Sequence, residues 1–279
     1  MALISGKPLD SQTYQLGFIG AGKLAGSVIR GLVLAGFCSP SKIIASEPNE
    51  HVRDALVNDT AVTVTAENSE AARQAEILFL GVKPGMVLPV VRELRDIVRN
   101  KPVISLAAGI RFESMEKAAH ARWMRALTNT PSAICRAATA VAKGPRATKG
   151  DIELVRKIFE AVGVVVEVDE AHIDAVTALA GSGPAFVYTV IEALATGGEK
   201  CGLPGDVAST LAAQTVLGAA ELALQSKLSP EELRKMVVTP GGTTAAGLAE
   251  MDRHRTSEGL IAAVIAATKR GQEMAKENQ

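Results

Sequence analysis

Hydrophobic positions follow two different periods along this chain. From Tyr14 to Val168, short β-branched or apolar runs alternate with amphipathic stretches: YQLGFI, KIIAS, VTVT, EILFL, PVISL, ARWMRAL, ATAVAK and GVVVEV. That alternation predicts βαβ units. Several runs are apolar on both faces, as strands of a parallel sheet covered by helices on each side require. Beyond GVVVEVDE the strand pattern stops, and apolar residues recur at three and four. Ile173, Val176, Leu179 and Ala180 mark one helical face, and Leu211, Val216, Leu217 and Leu222 another. Ser229-Pro230-Glu231-Glu232 combines an N-cap, Pro at the first helical position and a capping-box Glu. The expected fold class is α/β: a doubly wound parallel sheet over residues 14–168, followed by an all-helical domain over 169–279.

Composition narrows this picture. Of 279 residues, 47% are apolar and 22% charged, as in a soluble globular chain. Aromatic residues are only 3%, so Ala, Val, Leu and Ile must fill the core. Thirty basic residues balance thirty acidic ones, and no Lys/Arg block resembles a nucleic-acid footprint. No nucleic-acid partner is expected. Unbroken apolar stretches such as GLIAAVIAA fall short of the roughly 20 residues that span a bilayer, so no membrane partner is expected either. The amino-terminal MALISGKPLDSQTYQ lacks the basic and apolar regions of a secretory signal and reads as a short loose arm. Cys38, Cys135 and Cys201 are far apart, with no C-x-x-C pair. That spacing argues against a metal cluster and fits a reducing, cytoplasmic compartment. The helical half carries many small apolar positions, among them Ala219, Ala220, Ala223, Ala262, Ala263, Ala266 and Ala267. Helices bearing them can pack closely across a subunit interface, so an obligate dimer is expected.

Candidate chemistry begins at LGFIGAGKLAGSVIRGLVLAG, which reads as strand, Gly-rich turn and helix, with Gly36 as the stop. This is G-x-G-x-x-A. Gly20 allows a tight turn, Gly22 lets backbone approach a pyrophosphate, and Ala25 permits close helix-to-strand packing. Gly20, Ala21, Gly22, Lys23 and Leu24 are therefore candidate cofactor contacts at a helix amino end. The second strand ends at Ser46-Glu47, where an acid accepts hydrogen bonds from adenosine ribose hydroxyls and repels a 2′-phosphate. Glu47 thus favours NADH over NADPH, although Asn68 in TAENSE offers a hydrogen bond to either phosphate or ribose. FLGVKPG places Val82, Lys83 and Pro84 after the fourth strand; Lys83 either approaches the cofactor or extends to solvent. LAAGI, with Ala107, Ala108 and Gly109, and LTNTP, with Asn129 and Thr130, are further strand ends where a cofactor can lie.

Two motifs interrupt the helical half. In AVTALAGSGPAFVYTVIEAL, Pro184 cannot donate to residue 180, so the helix should kink or open and free a carbonyl. In VTPGGTTAAGL, Pro240, Gly241 and Gly242 weaken helix immediately before two threonines and a new apolar period. Such a turn presents backbone N–H groups at a helix start and suits an anion.

Taken together, GFIGAGKLA, ILFLGVKP, TNTP, TALAGSGPAFVYTVIEALATGGEKCGLP, AAQTVLGAAEL and above all VTPGGTTAAGL resemble the pyrroline-5-carboxylate reductases. The likeness runs from about Leu16 to Lys269. It implies a Rossmann domain joined to a helical dimerisation domain, with dimers that often assemble into decamers. It also implies NADH- or NADPH-dependent reduction of Δ1-pyrroline-5-carboxylate to L-proline, the last step of proline biosynthesis. On that reading the backbone around Gly241, Gly242 and Thr243 receives the substrate carboxylate, and the Thr244 hydroxyl bonds the ring nitrogen as the catalytic contact. Thr239 stands where the family commonly has another small hydroxyl. Residues 169–279 would form the dimer interface and complete the active site. A β-hydroxyacid dehydrogenase is the nearest rival, but no Lys follows Gly181-Ser182-Gly183 until Lys200. A dinucleotide sensor without catalysis would be expected to have lost the TPGGTT turn. No His, Cys or acid lies inside that turn as a general acid, so the imine proton comes either with the substrate or from water.

Overall fold

In the computed structural model, which describes residues 15–278, all eight strand patterns become one sheet in the order β3-β2-β1-β4-β5-β6-β7-β8. The amino-terminal arm, including Tyr14, lies outside the described residues. The strands are β1 Leu16–Ile19, β2 Ile43–Ser46, β3 Thr63–Thr65, β4 Ile77–Leu80, β5 Pro102–Ser105, β6 Arg122–Leu127, β7 Ala137–Lys143 and β8 Gly163–Glu167. Neighbours from β3 through to β6 are parallel, whereas β7 runs antiparallel to β6. The expected all-parallel sheet therefore reverses at β7, because residues 128–136 form a short connection with a 3-10 turn instead of a crossover helix. Parallel pairing resumes between β7 and β8.

The intervening helices are α1 Lys23–Leu34, α2 Glu50–Thr60, α3 Asn68–Gln74, α4 Pro84–Glu93, α5 Phe112–Ala118 and α6 Lys149–Glu160. Strands β1, β2, β4 and β5 are buried at every position, which is why their sequences are continuously apolar rather than alternating. Two apolar layers result. One joins Phe18, Ile29, Leu32, Phe79 and Phe159; the other joins Ile44, Leu78, Val87, Val103 and Trp123. Phe18 stacks on Phe79 with ring centroids 4.6 Å apart, and Phe159 meets Phe79 edge-on at 6.0 Å. Burial of each such side chain contributes about 1.5–3 kcal/mol. Few aromatic residues suffice because they meet at the centre of the layer.

The remaining helices are α7 Ile173–Val176, α8 Gly183–Lys200, α9 Gly205–Gln225, α10 Pro230–Met236, α11 Thr243–Arg253 and α12 Thr256–Glu277, with a π turn at Thr177–Gly181 between α7 and α8. The capping box expected at Ser229 is formed: its hydroxyl accepts from Glu232 N, and Glu232 Oε2 accepts from Ser229 N at 2.7 Å. Contacts divide the chain into two compact units, one extending through Ser182 and resuming at Ala266, the other spanning Gly183–Ile265. The division expected at 168/169 marks where the strand patterns end, and the contacts change unit further on, at 182/183. Ile173 and Ala178 are fully buried in the sheet unit, and residues at the end of α12 rejoin it through Gly271 beside Asp174.

In the second unit α8 packs on α9 around Ala195, Ala208 and Ala212, with Ile191 partly buried against them. Helices over residues 170–200 and 205–225 have mean hydropathies of 1.3 and 1.4 and are long and apolar enough to cross a bilayer by length and composition alone. Unbroken apolar runs did not predict this, because scattered Gly, Ser and Thr interrupt the runs without adding charge.

Candidate active site

Because β1 through β6 are parallel, the turns after them meet on one edge of the sheet, and β1 lies between β2 and β4, where the strand order reverses. Ligands of open α/β sheets bind at that switch point. Gly20 turns the chain there with φ +83°, which a side chain opposes. Its N–H donates to Ser46 O at 2.8 Å, tying the ends of β1 and β2 together. A Cβ on Gly22 would meet nothing within 4 Å, so the backbone ahead of α1 borders open space. No side chain caps α1, leaving the N–H groups of Lys23 and Leu24 in its first turn for a ligand. An uncapped helix end beside an open glycine fits a pyrophosphate. Ala25, the third small position, packs where a Cβ on Gly81 would come within 2.5 Å of it.

Glu47 sits half-buried at the rim just after β2. Its Oε2 accepts from Ala21 N at 3.1 Å and its Oε1 from Asn49 N at 3.2 Å. The carboxylate is thereby fixed at the glycine turn, and each oxygen keeps a further lone pair for a hydroxyl. Arg53 Nη1 donates to the carbonyls of Glu47 and Pro48 at 2.7 and 2.9 Å, stiffening the same loop. Ser46 is fully buried and donates to Asn68 Oδ1 at 2.9 Å, which orients Asn68 at the start of α3. Lys83 is exposed as the N-cap of α4, beside half-buried Val82, and Pro84 opens the helix. Ala107 is buried and Ala108 half-buried after β5. Gly109 also lets α12 approach, since a Cβ there would come within 2.8 Å of Met274 on that helix.

Asn129 differs from the rest of this edge. Its side chain, 8% exposed, donates from Nδ2 to Ala180 O at 3.1 Å and accepts at Oδ1 from Ala138 N at 3.2 Å. Ala180 O is the carbonyl that Pro184 leaves without a helical donor. The sequence predicts that orphan, but nothing in local periodicity tells which side chain answers it.

A charged cluster that sequence reasoning missed ties β6 and the start of α5 to residues 170–174. Arg125, on β6, is fully buried and bonds Glu170 Oε1 at 3.1 Å; Phe112 N donates to the same oxygen at 2.7 Å. Arg111 Nη2 pairs with buried Asp174, and its Nη1 donates to Glu170 O at 3.3 Å. Burial lowers the Arg125 pKa from its usual range, and Glu170 opposes that shift. Arg125, inside the otherwise apolar WMRAL of β6, was the available signal.

The TPGGTT turn belongs to the second unit. Gly241 has φ +71°, and Gly242 N donates back to Thr239 O at 3.0 Å, closing the turn. Gly242 is the N-cap of α11, no side chain caps it, and Thr243 and Thr244 occupy the first two helical positions. Thr244 is half-buried, Thr239 and Thr243 exposed. The expected helix start with backbone donors is therefore present, adjoining two hydroxyls. Among the described residues, no group of three or more His, Cys, Asp or Glu is placed to hold a metal.

The strand order, the glycine turn with its open approach and the acid after β2 define the class of nicotinamide-dinucleotide oxidoreductases. Two family descriptions match this chain: "NADP oxidoreductase coenzyme F420-dependent" over residues 15–109, and "Pyrroline-5-carboxylate reductase dimerisation" over residues 170–274. The pyrroline-5-carboxylate reductase of Pisum sativum is 40% identical over 269 residues, covering 96% of this chain and 98% of that one. The solved Coxiella burnetii pyrroline-5-carboxylate reductase superposes with TM-score 0.85 at 34% identity, covering 95% of this chain and 99% of that one. The Plasmodium falciparum pyrroline carboxylate reductase, solved with NADP bound, superposes with TM-score 0.88 at 26% identity, with 95% and 99% covered. This chain belongs to the pyrroline-5-carboxylate reductase family.

Proposed function

We propose that this chain reduces Δ1-pyrroline-5-carboxylate to L-proline, the closing step of proline biosynthesis, and prefers NADH to NADPH. The observation that carries the reading is the uncapped start of α11 behind Gly241 at φ +71°. Backbone N–H groups of Gly241, Gly242 and Thr243 cradle the substrate carboxylate, an anion at a helix amino end. The Thr244 hydroxyl bonds the ring nitrogen and fixes which face of the C=N bond is presented, with Thr239 closing the front of the turn. Gly20, Ala21, Gly22, Lys23 and Leu24 receive the pyrophosphate; Ser46, Glu47 and Asn68 receive the adenosine ribose; Val82, Lys83, Pro84, Ala107, Ala108 and Gly109 border the nicotinamide half. When bound, reduced nicotinamide supplies the hydride that the imine carbon accepts. The chain's own contribution is orientation, because two small reactants held in register recover much of the barrier. The nitrogen's proton arrives with the substrate or from water.

Association belongs to the same proposal. The family match over residues 170–274 is a dimerisation match, which gives the apolar helices a protein occupant instead of a bilayer. Activity is expected to require the homodimer, and dimers to assemble further, as far as a decamer. Three free thiols support a cytoplasmic location. The test is oxidation of NADH and NADPH, followed by absorbance, with pyrroline-5-carboxylate beside a panel of 3-hydroxy and keto acids. Turnover confined to the imine is expected; no turnover with it sinks the reading.

A further inference from the structure

The π turn at Thr177–Gly181 lies where the chain leaves the sheet unit, and Pro184 stands just beyond it. Ser182 N reaches back to Thr177 O at 2.9 Å, the wider spacing of a π turn. Pro184 has no N–H, so the half-buried Ala180 O lacks its usual i+4 helical donor and needs another partner. Asn129 supplies the missing donor through Nδ2. Its Oδ1 simultaneously accepts from Ala138 N, beyond the last β6–β7 pair, Leu127↔Ala140. Only one orientation of the amide satisfies both partners, so the side chain is a two-ended strut. Single π turns inside α-helices recur at functional sites. This one is fastened to the carboxyl end of β6, on the sheet edge that takes the nicotinamide half of a dinucleotide.

We propose that Asn129 is a positioning residue: by bridging Ala180 O and Ala138 N it holds the π turn open against the end of β6 and fixes the rim of the nicotinamide pocket. The inference rests on the function proposed above. It assigns Asn129 to neither cofactor nor substrate, and on it Pro184 serves to keep Ala180 O available for the strut.

The experiment compares the full-length wild type with N129A, P184A and the double variant N129A/P184A. It measures kcat/KM for pyrroline-5-carboxylate, dinucleotide Kd by fluorescence, and Tm. In N129A, kcat/KM is expected to fall about tenfold or more, the weight of one hydrogen bond near 1.4 kcal/mol, while dinucleotide Kd stays within about twofold. In the double variant the new N–H at position 184 can bond Ala180 O, so Tm recovers but kcat/KM stays low. Recovery of both would show a merely structural role and overturn the proposal. A dinucleotide Kd that weakens in step with activity would make Asn129 a cofactor contact and overturn it as well. Where N129A does not fold, N129D decides: its carboxylate can still accept from Ala138 N but cannot donate to Ala180 O, so kcat/KM should fall about tenfold with dinucleotide Kd within about twofold, and an unchanged kcat/KM overturns the inference. A wild type that turns over no pyrroline-5-carboxylate sinks the proposed function and this inference with it, whereas an active wild type with an equally active N129A sinks this inference alone.

Discussion

Phe18, Phe79 and Phe159 sit at 0% exposure in the sheet unit, while Leu211, Leu217, Leu222 and Ile261 in the helical unit are 53–60% exposed. The first unit spends its apolar side chains on itself. Between Gly183 and Ile265 the buried cluster is three alanines. A methyl group's burial is worth about 0.8 kcal/mol, whereas ordering a residue costs roughly 1–2 kcal/mol, so three alanines do not offset an ordered helical unit. The difference teaches that a helical period of three and four reports a face to be covered without saying what covers it. The match of this region to a dimerisation family supports the proposal that a second copy is the cover.

The largest effect should therefore come from charging that face. Leu217→Glu would place an uncompensated carboxylate in an apolar interface, at a cost of about 3 kcal/mol or more, which is over 100-fold in dimer dissociation. Light scattering over a dilution series should show monomer, with reductase activity lost in parallel. A fully active monomer would break the comparison, because it would mean that the helical unit needs no cover.

In the sheet unit the corresponding test separates fold from ligand. Gly22 borders open space, so Gly22→Val should leave Tm nearly unchanged and weaken dinucleotide binding by at least about tenfold. Gly20→Val, at φ +83° and in contact with Val82 and Gly81, should instead lower stability by about 1–3 kcal/mol. Dinucleotide titration and thermal melts on both variants make the comparison. If Gly22→Val bound as well as wild type, the pyrophosphate would lie elsewhere.

A milder loss is expected in the helical unit's own turn. Thr244→Ala removes one hydrogen bond to a polarised nitrogen, about 1.5–3 kcal/mol, or roughly 10- to 150-fold in kcat/KM. Dinucleotide affinity should not change. An unaltered kcat/KM would remove Thr244 from the site, and a large loss of dinucleotide affinity would move it to the nucleotide pocket.

Legibility differs between the two units for a physical reason. The central strands β1, β2, β4 and β5 were readable because buried parallel strands are short, apolar and bounded by turns, and β3 and β8 by their β-branched Thr and Val; the G-x-G-x-x-A turn was readable because glycine at Gly20 answers a backbone need. The antiparallel β7 was not, since ATAVAK carries no mark of direction; only the connection from Leu127 sets it. That contacts change unit only after Ser182 was not legible, because Arg111–Asp174 and Arg125–Glu170 bind residues 170–174 to the sheet unit, and such pairs join residues far apart in sequence. Pro184 announced an orphan carbonyl, and TPGGTT announced a helix start. Which side chain answers the orphan is a tertiary fact.

The smallest effect should fall on cofactor choice, at the sheet unit's rim. A carboxylate about 4 Å from a 2′-phosphate is repelled by roughly 4 kcal/mol per charge pair at an effective dielectric near 20, and water and salt at an open rim reduce this considerably. A net preference near tenfold for NADH is expected, about 1.4 kcal/mol. Glu47 also accepts the Ala21 N–H, so Glu47→Ser loosens the turn for both dinucleotides. That common loss cancels in the ratio of kcat/KM for NADPH to kcat/KM for NADH, which isolates the charge. Arg53, anchored on the carbonyls of Glu47 and Pro48, then remains as a cation on the same loop. The ratio should move toward NADPH by about tenfold at low salt and by less as ionic strength rises. A wild type that prefers NADPH several-fold, or a ratio unmoved by the substitution, would show that the Glu47 carboxylate does not face the ribose and that its bond to Ala21 is its whole role.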